Sequence, residues 1–238
     1  VMMTYQMPDE IKQIALNEWF DEFDLNEFFK AEENGGLATF KYETQVTQWL
    51  NLIQGQYKPT ALDELKTNKK PPMPFSDMRL LSSLNHTFWF LPSVASCKAM
   101  GDLLKRHPFY NKYKIIVSAG SEAGMGVDAI IPVERAIGNG FNNGTITLSC
   151  GKLTTGVTIP QWSGIFMLRN TSSPETYFQS AFRVQSPWVV KNPDGLNPNE
   201  KEIVKNTCYV FDFAPDRALK QIADYSARLS VNSKDTPE

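Results

Sequence analysis

The sequence has few of the residues that build metal sites and disulfide frameworks. Its 238 residues include three cysteines, Cys97, Cys150 and Cys208, and two histidines, His86 and His107. The cysteines are far apart and odd in number, and no CxxC pair occurs, so a zinc site is not expected. Each cysteine stands in an apolar or small-residue stretch, which predicts buried free thiols and a reducing, cytoplasmic compartment.

Long hydrophobic runs and a secretory signal are also missing. Apolar stretches such as residues 87–91 are far too short to span a bilayer, so no membrane association is expected. Residues 1–5 have no basic flank followed by an apolar stretch, so no signal peptide is predicted. Because the chain begins on Val within an apolar run, we expect this start to be a cleaved end or the edge of an expressed piece.

The chain has no strong excess of either charge. The net charge is −2, with 42% hydrophobic and 21% charged residues, as in ordinary globular proteins. Residues 1–60 carry 4 basic and 10 acidic side chains, and residues 61–238 carry 20 and 16. A protein that holds DNA by phosphate neutralisation alone is usually more basic. A protein that shares the DNA strand with a partner domain need not be so basic.

Complete nucleotide-binding motifs are absent as well. A phosphate loop needs a glycine five residues before Gly151 and a hydroxyl residue after Lys152, but these positions hold Ile146 and Leu153. The glycines of residues 120–126 have the wrong spacing for a dinucleotide fingerprint. No acidic Walker B motif follows an apolar strand. By itself, the chain therefore lacks both the phosphate cradle and the magnesium ligand of an ATPase.

The first part of the chain, residues 1–85, is predicted to be an acidic helical extension or insertion. Apolar residues at helical spacing predict helices after Asp9, over residues 24–29 and over residues 44–54. The proline-rich residues 69–74 mark the boundary, because proline removes amide donors and restricts its neighbour.

From residue 86 onward, strand patterns alternate with helix patterns. This alternation predicts an α/β fold with a parallel sheet flanked by helices. The predicted domain covers residues 86–230, and residues 231–238 form a polar tail. The predicted strands are residues 86–91, 113–117, 145–149, 165–168 and 208–213, and the predicted helices are residues 93–105, 130–137, 174–184 and 215–229.

Two segments that follow predicted strands carry candidate chemistry, because ligands gather at the carboxyl ends of parallel strands. Residues 150–160, the glycine/threonine loop, combine glycines that permit close backbone approach with hydroxyls that can donate to phosphate. In the next helix, Gln179 and Arg183 stand four residues apart and share a face. Taken alone, the loop could equally be a plain connection and the pair a solvated one.

The order of these segments resembles motifs V and VI of superfamily 2 helicases. A strand is followed by Gly-Val-Thr-Ile-Pro at residues 156–160, and a second strand by Ser-Pro-x-x-Tyr-Phe-Gln-x-x-x-Arg at residues 173–183. Residues 87–93 with the following helix resemble motif IV. The similarity covers residues 86–230 and is strongest to the motor subunits of restriction enzymes and related DNA translocases.

This resemblance implies the C-terminal, RecA-like lobe of an ATP-dependent DNA helicase or translocase, serving restriction or DNA processing. ATP and Mg²⁺ would be held mainly by a separate N-terminal RecA-like lobe of the same full-length protein, so the 238-residue chain alone is expected to be inactive. DNA would be contacted along its backbone.

The resemblance also implies roles for single residues. Arg183 would be an arginine finger that Gln179 positions, and Gly156 and Thr158 would face the nucleotide. The DNA backbone would be contacted by small and hydroxyl residues, namely Ser93, Gly120, Thr154 and Thr155.

Two departures from the helicase pattern keep alternatives open. Thr158 stands where the family usually has Asp, and Ser186 stands where it usually has a second arginine. Arg169, nearby in sequence, could replace that second arginine. Alternatively, the chain is a degenerate, non-hydrolysing RecA-like module for nucleic-acid binding or interaction. An unrelated doubly wound enzyme would need a nucleophile–base pair, which the sequence does not offer.

Overall fold

A computed structural model gives the fold of the chain. It describes residues 1–15, 23–55, 73–124, 127–153, 156–171 and 173–229. Thr154, Thr155, most of the proline-rich boundary and the predicted tail lie outside the described residues.

The described strands include six that form one parallel sheet. In chain order the strands are β1 (Met2–Thr4), β2 (Ala31–Asn34), β3 (Leu37–Phe40), β4 (His86–Phe90), β5 (Lys114–Val117), β6 (Thr145–Ser149), β7 (Gly164–Met167), β8 (Trp188–Lys191), β9 (Lys201–Lys205) and β10 (Tyr209–Asp212). The sheet order is β1-β10-β7-β4-β6-β5, and every pair within it is parallel. Strands β2 and β3 form one antiparallel hairpin, and β8 and β9 form another.

Helices cover both faces of this sheet. The α-helices are α1 (Asp9–Lys12), α2 (Leu25–Phe28), α3 (Glu43–Ile53), α4 (Met78–Leu81), α5 (Val94–Arg106), α6 (Val127–Ile137), α7 (Pro174–Ala181) and α8 (Pro215–Leu229). A 3₁₀ turn, Phe182–Val184, continues directly from α7. None of the helices in the described ranges has the length and apolar character needed to cross a membrane.

The central strands are buried on both sides, as expected of a parallel sheet that helices cover on both faces. All five residues of β4 and all five of β6 are buried. Because side chains alternate along a strand, Trp89 faces one core while Phe88 and Phe90 face the other. Helices α3 and α5 contribute to the Trp89 core, and α6 and α7 contribute to the Phe88 core.

The predicted α/β class and the predicted parallel sheet are confirmed. Two predicted elements, residues 145–149 and 215–229, match β6 and α8 to the residue. Ser93, predicted as the first helical residue, instead caps α5. The division of the chain at residue 85 stays a prediction.

Residues 1–85 are not wholly helical, contrary to expectation. Strand β1 forms an edge of the main sheet, and residues 34–36 stand at the turn of the β2–β3 hairpin. A three-residue strand has too little local pattern to be recognised, because it is defined by its pairing with β10, about 200 residues away. This first part also shares a core with the sheet, since the rings of Trp49 and Trp89 lie 5.8 Å apart.

The cysteine prediction is correct in one respect and wrong in another. All three thiols are free, as expected, but only Cys97 is buried. Cys150 and Cys208 are half-buried because each lies beside the end of a sheet strand, where the core gives way to loops.

Candidate functional site

Helix α7 and the glycine/threonine loop meet at Arg183. The helix begins where Ser173 accepts a hydrogen bond from the amide of Thr176 and Pro174 takes the first helical position. Arg183 follows the helix in the 3₁₀ turn, half-buried, and its Nη1 donates to the carbonyl oxygen of Val157 at 2.5 Å. Partial burial lowers the pKa of the Arg183 guanidinium. The structure thus brings the predicted finger against the predicted nucleotide loop.

The other residues predicted to face the nucleotide are exposed. Gly156 has φ +68°, and a Cβ at this position would meet no atom within 4 Å, so the backbone there borders open space. Thr158 is exposed and follows directly on the Val157 carbonyl that binds Arg183. Gln179, also exposed, lies one helical turn before Arg183. Gly156, Thr158 and Arg183 therefore belong to one region of the surface.

Ser93 and Gly120, predicted to contact DNA, lie close together at the carboxyl ends of β4 and β5. The hydroxyl of Ser93 caps α5 by accepting from the amide of Ser96 at 3.1 Å. Gly120 has φ +75°, and a Cβ there would lie 3.1 Å from Val94, the residue after Ser93. The Ser93 hydroxyl is already engaged by the cap, so a DNA contact would share that oxygen.

A second arginine, Arg169, holds the start of the glycine/threonine loop. Arg169 follows β7, and its Nη1 donates to the carbonyl oxygen of Cys150 at 2.7 Å. Its guanidinium lies over the ring of Phe90, 4.9 Å from the centroid, in cation–π contact. The loop is therefore held by an arginine at two points, Cys150 and Val157.

A buried polar cluster behind the loop is absent from the sequence predictions. Asp212, the last residue of β10, is fully buried and accepts from Arg217 at 3.0 Å, from the Tyr177 hydroxyl at 2.9 Å and from the Ala214 amide at 2.8 Å. Burial raises the pKa of the Asp212 carboxyl, and burial next to Asp212 raises the pKa of Tyr177. An aspartate that ends an apolar strand was the signal available in the sequence.

The buried cluster reaches the loop through Arg169. Nη1 of Arg217 donates to the backbone oxygen of Arg169 at 2.6 Å, while Nη2 of Arg217 binds Asp212. Arginines thus bind the Cys150 and Val157 carbonyls of the loop, and the loop's own Lys152 donates to the backbone oxygen of Gly124. Within the described ranges, no group of three or more potential metal-ligating side chains lies together.

Comparison with known proteins identifies one curated relative. The chain is similar to a restriction–modification protein. It is 33% identical over 153 residues to a candidate type II restriction enzyme and methyltransferase of Mycoplasma pneumoniae, RM.MpnORF110P C-terminus, over 63% of this chain and 20% of that protein. The chain therefore spans about a fifth of the length of this relative. No family model matches the chain.

Two solved structures resemble the chain at 12% sequence identity and a TM-score of 0.40. In the crystal structure of T4 UvsW, the match includes 89% of this chain and 31% of the UvsW chain. In the structure of the C-terminal part of the Fun30 ATPase domain, the match includes 84% of this chain and 58% of that chain. The fold class is established by the parallel sheet itself. The sequence similarity to a restriction–modification protein agrees with the resemblance to restriction-enzyme subunits.

Proposed function

We propose that this chain is the C-terminal motor lobe of an ATP-dependent DNA helicase or translocase that serves restriction or DNA processing. The observation that carries the proposal is the bond from Arg183 to Val157, which joins the motif VI helix to the glycine/threonine loop. Two segments that the sequence places in helicase order thereby form one surface. The similarity to a restriction enzyme and methyltransferase supports the biological setting.

Arg183 is assigned to the γ-phosphate of an ATP held on the preceding lobe. A guanidinium has five N–H donors in a planar fork, so a bond to Val157 is compatible with a phosphate contact. Gln179 stands on α7, four residues before Arg183 in the 3₁₀ turn that continues it, and is assigned to position the finger. Together they stabilise charge in the transition state, which is the main task of a protein in phosphoryl transfer.

ATP fits the residues of this chain only as a shared ligand. Gly156 leaves space for close approach, and the Thr158 hydroxyl can bond to a ribose or phosphate oxygen without supplying charge. Proteins usually hold Mg²⁺ through one or two carboxylates, substrate phosphates and water, and the arginines around the loop supply no such oxygen ligand. The phosphate cradle and Mg²⁺ are therefore assigned to the preceding lobe.

DNA backbone contact is assigned to the carboxyl ends of β4, β5 and β6. Ser93 and Gly120 lie together there, and Thr154 and Thr155 belong to the loop that follows β6. Hydroxyls and backbone amides position a strand without reading its sequence.

The test is the Arg183→Ala substitution in the full-length protein. DNA-stimulated ATP turnover should fall by about 10³–10⁵ in kcat, the range for loss of an arginine finger, while ATP binding stays within a few-fold. Arg106→Ala is the matched control, because it removes an arginine whose side chain is 66% exposed on α5. Survival of turnover in Arg183→Ala would show that the finger assignment is wrong.

A second candidate function is a non-hydrolysing DNA-binding or interaction module. It is favoured by Thr158 and Ser186, which replace an acid and a second arginine of the helicase pattern. An intact protein that binds DNA but shows no DNA-stimulated ATP hydrolysis would support this function over the first. The 238-residue chain alone is expected to hydrolyse ATP negligibly under either function.

A further inference from the structure

Tyr177 ties the helix that carries the proposed finger to a buried carboxylate. Its hydroxyl donates to Oδ2 of Asp212 at 2.9 Å, and it lies on α7, six residues before Arg183. Asp212 also accepts two bonds from Nη2 of Arg217, at 3.0 and 3.3 Å. Helix α7, strand β10 and helix α8 thus meet at one carboxylate.

The connection continues from Arg217 to the glycine/threonine loop. Nη1 of Arg217 donates to the backbone oxygen of Arg169, and Nη1 of Arg169 donates to the backbone oxygen of Cys150. At the other end of the loop, Val157 accepts from Arg183. Because Arg183 follows Tyr177 along the chain, the contacts form a closed circuit from α7 to the loop and back.

The burial of this circuit indicates a role other than stability. The side chain of Asp212 is 0% exposed and that of Arg217 is 10% exposed. Taking two charges out of water costs free energy that their attraction often does not recover, so a buried pair is weak evidence for stability. Such a pair can instead fix one arrangement of the elements that it joins, because any other arrangement leaves a charge buried and unpaired.

Resting on the proposed function, we propose that this circuit positions the arginine finger relative to the loop and carries the effect of bound DNA to it. We call it the Asp212 network, and its members are Tyr177, Asp212, Arg217 and Arg169. They are positioning residues: DNA on the glycine/threonine loop shifts the Cys150 and Val157 carbonyls, and the network converts that shift into the placement of Arg183.

The first test compares two tyrosine-to-phenylalanine substitutions in the full-length protein. Tyr177→Phe removes the hydroxyl that binds Asp212, and Tyr42→Phe removes a hydroxyl that binds Glu27 at 3.0 Å, outside the network. We expect Tyr177→Phe to lower DNA-stimulated kcat by about 5–10-fold with the KM for ATP within about twofold, as for an interaction realised in the transition state. Tyr42→Phe should remain within about twofold in both constants.

A second variant guards against loss of folding in the first. Arg169→Lys keeps a positive charge but loses the planar fork that binds Cys150 and stacks on Phe90. It leaves the Asp212–Arg217 pair intact, because Arg217 binds the backbone oxygen of Arg169. The ratio of DNA-stimulated to unstimulated turnover, measured well below each melting temperature, should fall by about 3–10-fold, which a purely structural role would not change.

The outcomes separate this inference from the proposed function. If the wild-type protein shows DNA-stimulated turnover that Arg183→Ala abolishes, but both network variants behave as Tyr42→Phe does, the inference is overturned and the proposed function stands. If the wild-type protein shows no such turnover, both are overturned. The inference is supported if DNA-stimulated kcat falls in Tyr177→Phe and the stimulation ratio falls in Arg169→Lys, and it is overturned if either variant keeps the wild-type value.

Discussion

Two clusters, each of a carboxylate, a cation and a tyrosine, lie in contrasting surroundings. In the buried cluster, Asp212 binds Arg217 and Tyr177 between the sheet and two helices. On the surface, a glutamate binds a lysine and a tyrosine, namely Glu27, Lys41 and Tyr42. The side chain of Asp212 is 0% exposed and that of Glu27 is 32% exposed.

The pKa values of the two carboxyl groups are shifted in opposite directions by their surroundings. The hydrogen bond from Lys41 lowers the pKa of Glu27, while burial raises the pKa of Asp212 despite its arginine and tyrosine partners. Because water already solvates Glu27, its partners add a modest attraction. Asp212 has lost its water, so its partners mainly offset the cost of burial. The comparison shows that burial, more than the number of partners, decides what a charged cluster does.

The largest expected effect is on stability when the cation is removed from each cluster. Arg217→Ala leaves Asp212 buried without its counter-ion and should lower the free energy of unfolding by about 3–5 kcal/mol. Lys41→Ala removes an exposed partner and should leave the urea midpoint unchanged within error. Urea denaturation followed by tryptophan fluorescence measures both. Equal urea midpoints for the two variants would contradict the expected difference between the buried and the exposed cluster.

A smaller difference is expected when only the tyrosine hydroxyl is removed. Tyr177→Phe deprives a buried carboxylate of one donor and should cost about 1.5–3 kcal/mol, the range for hydrogen bonds to charged groups. Tyr42→Phe should stay within about 0.5 kcal/mol, because water replaces the lost donor at Glu27. Thermal unfolding of both variants under one buffer condition gives the ranking, and a larger loss for Tyr42→Phe would contradict it.

The central strands were predicted because they are short runs rich in β-branched and aromatic residues. Strand β6, for example, was recognisable from residues 145–149 and their flanking turns. The short β1 and the β8–β9 hairpin were missed. Their residues are half-buried or exposed, so they carry little periodic signal, and β1 exists through its pairing with β10.

The residues of the candidate site that belong to ordered motifs could be predicted from the sequence. The contacts between segments that are distant along the chain could not. Gln179, Arg183 and the glycine/threonine loop were identified from their order along the chain. The bonds from Arg217 to Asp212 and to Arg169 were not, because three separate elements must first fold together. No local pattern distinguishes Arg217 from the exposed basic residues of an amphipathic helix.

The smallest expected effect is a shift in cysteine reactivity that reports the charge of Arg169. The hydrogen bond with Cys97 and the nearby Arg169 guanidinium lower the pKa of Cys150 to about 7, whereas the bond to Cys150 and burial raise the pKa of Cys97. The thiolate is the reactive form, so iodoacetamide labelling of Cys150 should rise with pH through about 7 and then level off. Cys97 should remain unlabelled in the folded protein.

Arg169→Gln sharpens this measurement because it removes the cation and keeps a polar side chain. Without the guanidinium, the Cys150 thiolate is less stabilised, so the labelling midpoint should move to higher pH. Lys41→Gln serves as the control, since its charge lies in the exposed cluster. Peptide mass spectrometry follows each cysteine separately. An unchanged midpoint of Cys150 labelling in Arg169→Gln would mean that solvent screens the charge of Arg169 as fully as a surface charge. The contrast between the buried and the exposed cluster would then not extend to the loop.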